Sequence, residues 1–370
     1  MILATTAMLL RCGQLARGVA SAAGRPPWST RVAPVPPNTL VDVLGAPSGD
    51  VSVGNGDHDA VELSLDDAPG TAPDPRVSIG RQAGDASGKL GPLVRCRFPP
   101  ASSPGSPQQL RARIPERYCS LRLRAPGGGA SVEGVAEAGL DLRARDAARV
   151  RSVRGSVVSI ESERGDVVAD SVSGSDLSLR ATRGLVEAKK VVGLLVRVSA
   201  AKGASLRSLY AEEASVESEG GDVALGNAGC RSLLVNAGGG AVKVDGVSGN
   251  LRVAGGKACS VNLSRDCKKV EILGVEGEVR VTAEPGRRIK CSIDAEAVAF
   301  GEGVTLDEDG SFITVEGEMG ARAPRLEGED GAEEADRELA VTSPKAKVVV
   351  SGSSWLTDIL KKRGVPTRKE

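Results

Sequence analysis

The sequence predicts an all-β fold, a single-chain parallel β-solenoid with coils of 18–19 residues, on three observations. The first is a repeated phrase. Val158-Ser-Ile160-Glu-Ser-Glu-Arg-Gly165-Asp-Val167 and Ser215-Val216-Glu-Ser-Glu-Gly-Gly221-Asp-Val223 are nearly the same text. The second is a spacing kept over nine units, in which an apolar residue stands five positions before a turn residue. The apolar series is Leu123, Leu142, Ile160, Leu179, Val198, Val216, Val235, Val253 and Ile272. The turn series is Gly128, Ala147, Gly165, Gly184, Gly203, Gly221, Gly240, Ala258 and Gly277. Self-similarity at a fixed short period is the signature of stacked structural repeats. The third is composition. Aromatics make up only 2% of the chain and Gly contributes 47 residues, which suits a narrow interior filled by Val, Leu and Ala.

Taken in order, the chain opens with a leader. Residues 1–41 hold Arg11, Arg17, Arg25 and Arg31 and no acid, the pattern of a mitochondrial transit peptide. The matrix is therefore the expected location, with secretion or the cytosol as alternatives. Against secretion, no basic region precedes the apolar run 2–10, and Arg11 ends it. Five prolines between Pro26 and Pro37 suggest an unfolded spacer, so residues 1–38 read as transit peptide plus spacer.

Residues 39–118 read as a leading β region with long loops. Leu40-Val-Asp-Val43, Val51-Ser-Val53 and Val61-Glu-Leu63 each alternate as half-buried strands do. Residues 119–318 form the repeat region. Each unit carries two alternating pieces, such as Val158/Ile160 and Val167/Ala169, separated by a turn ending in Gly, where a tight bend often calls for positive φ. The units at Ala147, Gly203 and Ala258 read as carrying compensated one-residue turn insertions. Without compensation, a slip of one residue would send every later side chain to the wrong face. Open ends need covering, and the leading region is a candidate cap. Residues 319–342 read as an acidic linker, and 343–370 as a strand at Val348–Val350 plus a short helix. That helix would place Trp355, Leu356 and Ile359 on one face, as a cap or a partner contact.

The Gly-x-Val-x-Val series, entered through Ile114-Pro115, resembles the putative-adhesin β-solenoid family of unknown function over residues 40–318. That family is mostly bacterial, with mitochondrial-type animal members. The resemblance implies the solenoid fold and brings no catalytic residues with it.

Chemistry is sparse. His58 is the one imidazole, so triads lack a base. Asp57-His58-Asp59 reads as a polar hairpin tip, because neighbours on a strand point to opposite faces. Zinc spacings, a P-loop and a dinucleotide fingerprint are absent from the sequence, and Gly220-Gly-Asp222 does not recur as a calcium β-roll requires. Asp166 and Asp222 share a place in their units but stand three coils apart, about 14 Å, too far for an acid–base pair. No catalytic, metal or cofactor site is expected. Seven cysteines without a CxxC pair suit free thiols in a reducing compartment. With 48 basic and 48 acidic residues, no nucleic-acid partner is expected, and no apolar run spans a membrane. The reading is a non-enzymatic structural or protein-interaction solenoid of mitochondria. The alternative is a carbohydrate-active β-helix enzyme, or an adhesin-like binding module, outside the mitochondrion.

Overall fold

The computed structural model describes residues 28–35, 39–44, 51–56, 60–66, 76–82, 91–97, 109–115, 119–136, 139–284, 287–301, 304–307, 312–315 and 337–352. All regular structure among them is strand, stacked as the coils of a parallel β-solenoid. The short C-terminal helix expected around Trp355, Leu356 and Ile359 lies outside the described residues, as do Asp57, His58 and Asp59. The chain divides into two units, residues 1–194 and 195–370.

In the first unit, strands β1 (Trp28–Val32), β2 (Thr39–Leu44), β3 (Val51–Asn55), β4 (Val61–Asp66), β5 (Arg76–Gln82), β6 (Gly91–Arg97) and β7 (Gln109–Ile114) precede the regular repeats. These are β8 (Cys119–Ala125), β9 (Ala130–Glu133), β10 (Leu140–Ala144), β11 (Ala148–Arg151), β12 (Val153–Ser162) and β13 (Val167–Ala181). Parallel pairing sets Leu123 on Leu142, Leu142 on Ile160 and Ile160 on Leu179, all four fully buried. Alternate side chains point out, as the burial of β8 and β10 shows.

The leading region is not a separate layer. β2 and β3 form a coil of the stack, pairing in parallel with β8 and β9 on one side and with β6 and β7 on the other. The later strands β6 and β7 thus lie beneath the earlier strands β2 and β3. β5 lies antiparallel on β6 and β4 antiparallel on β7, closing that end of the unit. Part of the expected spacer is strand: β1 pairs with β4 over Trp28–Val32. An antiparallel partner with few residues to bury satisfies the exposed backbone of an edge, which the proline count in the sequence could not reveal.

Strand β14 (Val186–Ala200) runs across the division between the units. The second unit continues with β15 (Gly203–Ser218), β16 (Asp222–Ala237), β17 (Ala241–Ala254), β18 (Ala258–Leu273) and β19 (Glu278–Ala283). Val216, Val235, Val253 and Ile272 form one buried column, and Val198 is buried as well. Next come β20 (Arg287–Phe300), β21 (Val304–Leu306), β22 (Phe312–Val315) and β23 (Arg337–Gly352). Here too the stack departs from chain order. β23 pairs with β18 and β19 on one side and with β20 on the other, so it is threaded between strands that precede it in the chain. It starts at Arg337, inside the stretch read as acidic linker.

The turns differ from expectation in two ways. From Leu142, Val198 and Val253 to the first buried side chain of the following strand is six positions, at Ala148, Ala204 and Cys259. After Ile160, Val216 and Val235 it comes seven on, at Val167, Val223 and Val242. Those residues pair as Ala148 with Val167, Ala204 with Val223, and Cys259 with Val242. The irregular units therefore have turns one residue shorter, not longer. The sequence hid this because Ala and Cys are weak markers of an inward position. The second difference concerns the glycines. Of Gly128, Gly165, Gly184, Gly203, Gly221, Gly240 and Gly277, only Gly203 has positive φ. At Gly165, Gly184, Gly221, Gly240 and Gly277 the reason for glycine is close stacking. A Cβ on Gly165 would lie 2.5 Å from the backbone N of Ala147. One on Gly184 would overlap the carbonyl oxygen of Gly165, one on Gly221 that of Lys202, one on Gly240 that of Gly221, and one on Gly277 that of Lys257.

Candidate functional site

The phrase Ser-Glu-x-Gly-Asp builds a corner, and it does so in both units. In the second, the Ser218 hydroxyl donates to the Gly221 carbonyl at 2.7 Å and accepts from the Gly221 N–H at 3.1 Å. In the first, the Ser162 hydroxyl makes the same pair with Gly165, at 2.9 and 3.1 Å, and also reaches the Asp146 carbonyl of the preceding coil. Both serines are buried. The adjacent aspartates tie one coil to the next: Asp166 accepts from the Leu185 N–H at 2.9 Å, and Asp222 from the Ala241 N–H at 2.8 Å. The two carboxylates that most resembled an acid pair are each committed to the scaffold.

What faces water is ordered charge. Residues in register on neighbouring coils stand about 4.8 Å apart, so acids and bases in one column pair along the stack. In the first unit one series runs Arg122–Asp141–Arg143–Glu161, with N···O separations of 3.5, 3.4 and 3.8 Å, the outer two pairs between coils and the middle one along β10. A second runs Glu133–Arg151–Asp170–Lys189 at 3.5, 3.8 and 2.5 Å. The hydrogen bond from Lys189 holds the Asp170 carboxyl below its usual range. In the second unit Arg252–Glu271–Lys269–Glu338 forms a comparable row, and the two glutamates raise the Lys269 ammonium. Arg231 reaches Glu212 at 2.6 Å, and its pKa is raised by that bond.

Asp42 is a charged residue that the sequence pattern placed on the outer side of an alternating strand. It is fully buried, flanked by Arg95 and Arg122 in register, with Arg95 Nε donating to Oδ2 at 3.1 Å. Its Oδ1 has no hydrogen-bond partner among the described residues. The strands that set Arg95 and Arg122 on either side of it come from residues 91–97 and 119–125, which no local pattern could bring together.

The cysteines belong to the interior. Cys96, Cys119, Cys230, Cys259 and Cys267 are buried, and Cys291 is half-buried; none of the six is in a disulfide. Desolvation pushes Cys96 and Cys259 up to about 12 and Cys230 and Cys267 up to about 11. Thiols so protonated are poor nucleophiles at neutral pH. Among the described residues no group of three or more His, Cys, Asp or Glu could hold a metal ion, and no helix is long and apolar enough to cross a membrane. Among the described residues, exposed large apolar side chains are few: Val157 and Leu194 in the first unit, and Tyr210, Leu234, Val298, Phe300 and Leu306 in the second. Tyr210 lies across Gly229 of the next coil, where a Cβ would stand 2.8 Å from the ring.

The class this arrangement defines is a parallel β-solenoid whose polar groups serve the stack. No protein-family model matches the chain, and no curated protein matches it. Two solved structures align with it. A Clostridium sporogenes chain called a "putative cell adhesion protein" is 8% identical, with 88% of this chain and 98% of that one covered and a TM-score of 0.18. A Parabacteroides distasonis "putative adhesin" is 12% identical, with 88% and 96% covered and a TM-score of 0.28. At those scores neither likeness bears on function.

Proposed function

We propose that the protein is a non-enzymatic β-solenoid that holds a protein partner against its ionic side faces, and that it works in mitochondria, in the matrix. The observation that carries the binding reading is the row Glu133–Arg151–Asp170–Lys189. It presents alternating charge at coil spacing on a rigid sheet, and such a row selects partners by complementary charge. The groups that hydrolytic chemistry would need support the same reading, since Asp166 and Asp222 are bound to backbone N–H groups and five thiols sit inside the stack. The acid-free, Arg-bearing leader supports the location.

Proximity labelling tests both parts. The full-length chain carries a labelling enzyme at its C-terminus, with Arg151→Glu/Lys189→Glu compared against the wild type. The expected result is labelled matrix proteins, with one or a few lost from the charge-reversed variant while its circular dichroism is unchanged. Label confined to another compartment would overturn the location. A labelled set identical in the two chains would overturn the ionic face as the binding surface.

A further inference from the structure

The apolar columns of the second unit run to its last parallel strand and stop there half covered. Val281 stacks on Val350 and Val350 on Phe300, Val279 on Val348 and Val348 on Val298, and Ile272 on Val341 and Val341 on Ile293. Val279, Val281, Ile272, Val341, Val348 and Val350 are at most 1% exposed, whereas Val298 is 41% and Phe300 39% exposed, and Ile293 is half-buried. β22 lies across β20 at Arg287–Lys290, where Ile289 falls to 4%. The first unit ends differently: its outermost parallel strands are covered by β4 and β5, and Cys96, Leu110 and Ile114 are buried there. A solenoid end left apolar and uncovered invites association.

We infer that the chain's own C-terminal segment, residues 353–363, docks on this end face, with Trp355, Leu356, Ile359 and Leu360 covering Phe300, Val298 and Ile293. Three observations select that occupant. The first is the exit point. β23 ends at Gly352, and the Gly301 N–H donates to the Val350 carbonyl at 2.8 Å, so the segment begins beside Phe300. Trp355 lies three residues further on, within about 10 Å of chain, and a tether that short gives an effective concentration in the millimolar range. The second is pattern. Trp355, Leu356, Ile359 and Leu360 follow a spacing that gathers them on one side. The third is charge. Asp294 and Glu296 are exposed on β20, and Lys361, Lys362 and Arg363 follow the apolar residues of the segment. A second copy stacked end to end would instead set the same carboxylates against one another, which costs affinity.

A photoreactive benzoyl-phenylalanine placed at Phe300 of the full chain tests the docking. The expected cross-link joins position 300 to the peptide containing Trp355, within a species of monomer mass. Cross-links to β20 of a second copy, to a different protein, or to no peptide of 353–363 would overturn it. Hydrogen exchange on Trp355→Asp/Ile359→Asp supplies an independent reading. Amides of 291–300 should exchange about 10-fold faster or more, while those of 203–237 keep their protection and report an intact stack. Unchanged exchange at 291–300 would also overturn the inference.

Discussion

Asp222 accepts a hydrogen bond from the backbone N–H of Ala241, nineteen residues ahead and one coil along, at 2.8 Å. The same bond joins Asp166 to Leu185 in the first unit, at 2.9 Å. A corner needs such a bond because the chain turns away from its sheet there, leaving the next coil's N–H without a ladder partner. Asp222→Ala should therefore cost about 1 kcal/mol, and Asp222→Asn, which keeps an acceptor, less. Urea midpoints of the two variants check this; equal losses would mean that the carboxylate acts by charge and not as the acceptor.

The turn glycines should separate two explanations of their presence. Gly221 lacks positive φ, yet a Cβ there would overlap the Lys202 carbonyl. Gly221→Ala should cost about 1–3 kcal/mol, since backbone cannot move aside as a flexible side chain does. Gly239 stands two residues from the coil's last strand residue, and its Cβ would meet nothing closer than 3.8 Å. Gly239→Ala should be neutral, or stabilising by about 0.4 kcal/mol through the unfolded chain. Thermal melts of both variants suffice, and a stable Gly221→Ala protein would rule out the close-stacking account.

Val235 is fully buried between Val216 and Val253, and Asn236 beside it faces solvent. Val235→Asp should cost about 3–5 kcal/mol, because it buries a carboxylate without a partner. Asn236→Asp should stay within about 0.5 kcal/mol. Solenoid coils couple mainly to their neighbours, so exchange protection in Val235→Asp should fall first in β15 and β17. Equal loss in the two variants would contradict the register.

These three sites also show what the sequence could disclose. The period was legible because every inward position of a coil repeats at a near-constant spacing, so Leu142, Ile160, Val216 and Val235 each recur on schedule. The short turns were not, since Ala148, Ala204 and Cys259 are too small to mark an inward position. The corner was half legible: Ser-Glu-x-Gly-Asp recurred visibly, but that Asp222 reaches the next coil requires knowing where that coil lies. The stacking order at the end of each unit was beyond reach, because β2 and β3 on β6 and β7, and β23 beneath β20, join strands that no repeat connects. The placing of Asp42 between Arg95 and Arg122 follows from that order and was hidden with it.

If the leader is removed on import, the cut should fall before Trp28. β1 pairs with β4, and Arg31 lies 3.5 Å from Glu62 across that pairing. Removal of residues 1–38 would strip β4 of that partner. Mass spectrometry of the amino terminus recovered from mitochondria should therefore find a start at or before Trp28. A start near residue 39 would show that β1 is not part of the mature fold, and targeting that survives deletion of residues 1–27 would show that the leader is not the signal.

Alkaline pH should unfold the protein through its thiols. Cys96 and Cys259 are pushed up to about 12 and Cys230 and Cys267 to about 11 by burial, against 9.0 for an ordinary thiol. The unfolded chain therefore releases protons that the folded chain retains once the pH passes 9. Stability from these groups is complete below 9 and declines as the pH rises towards 11–12, with each thiol removing on the order of 1–2 kcal/mol by about pH 10.5. Urea midpoints under a phosphine reductant should be level between about pH 7 and 8.5 and fall steeply above 9. Cys259→Ala should begin less stable at neutral pH, because a buried side chain has been cut back, and then fall less steeply, because one proton has left the balance. Parallel profiles for the variant and the wild type would mean that Cys259 does not titrate on unfolding, and the alkaline transition would then belong to other groups.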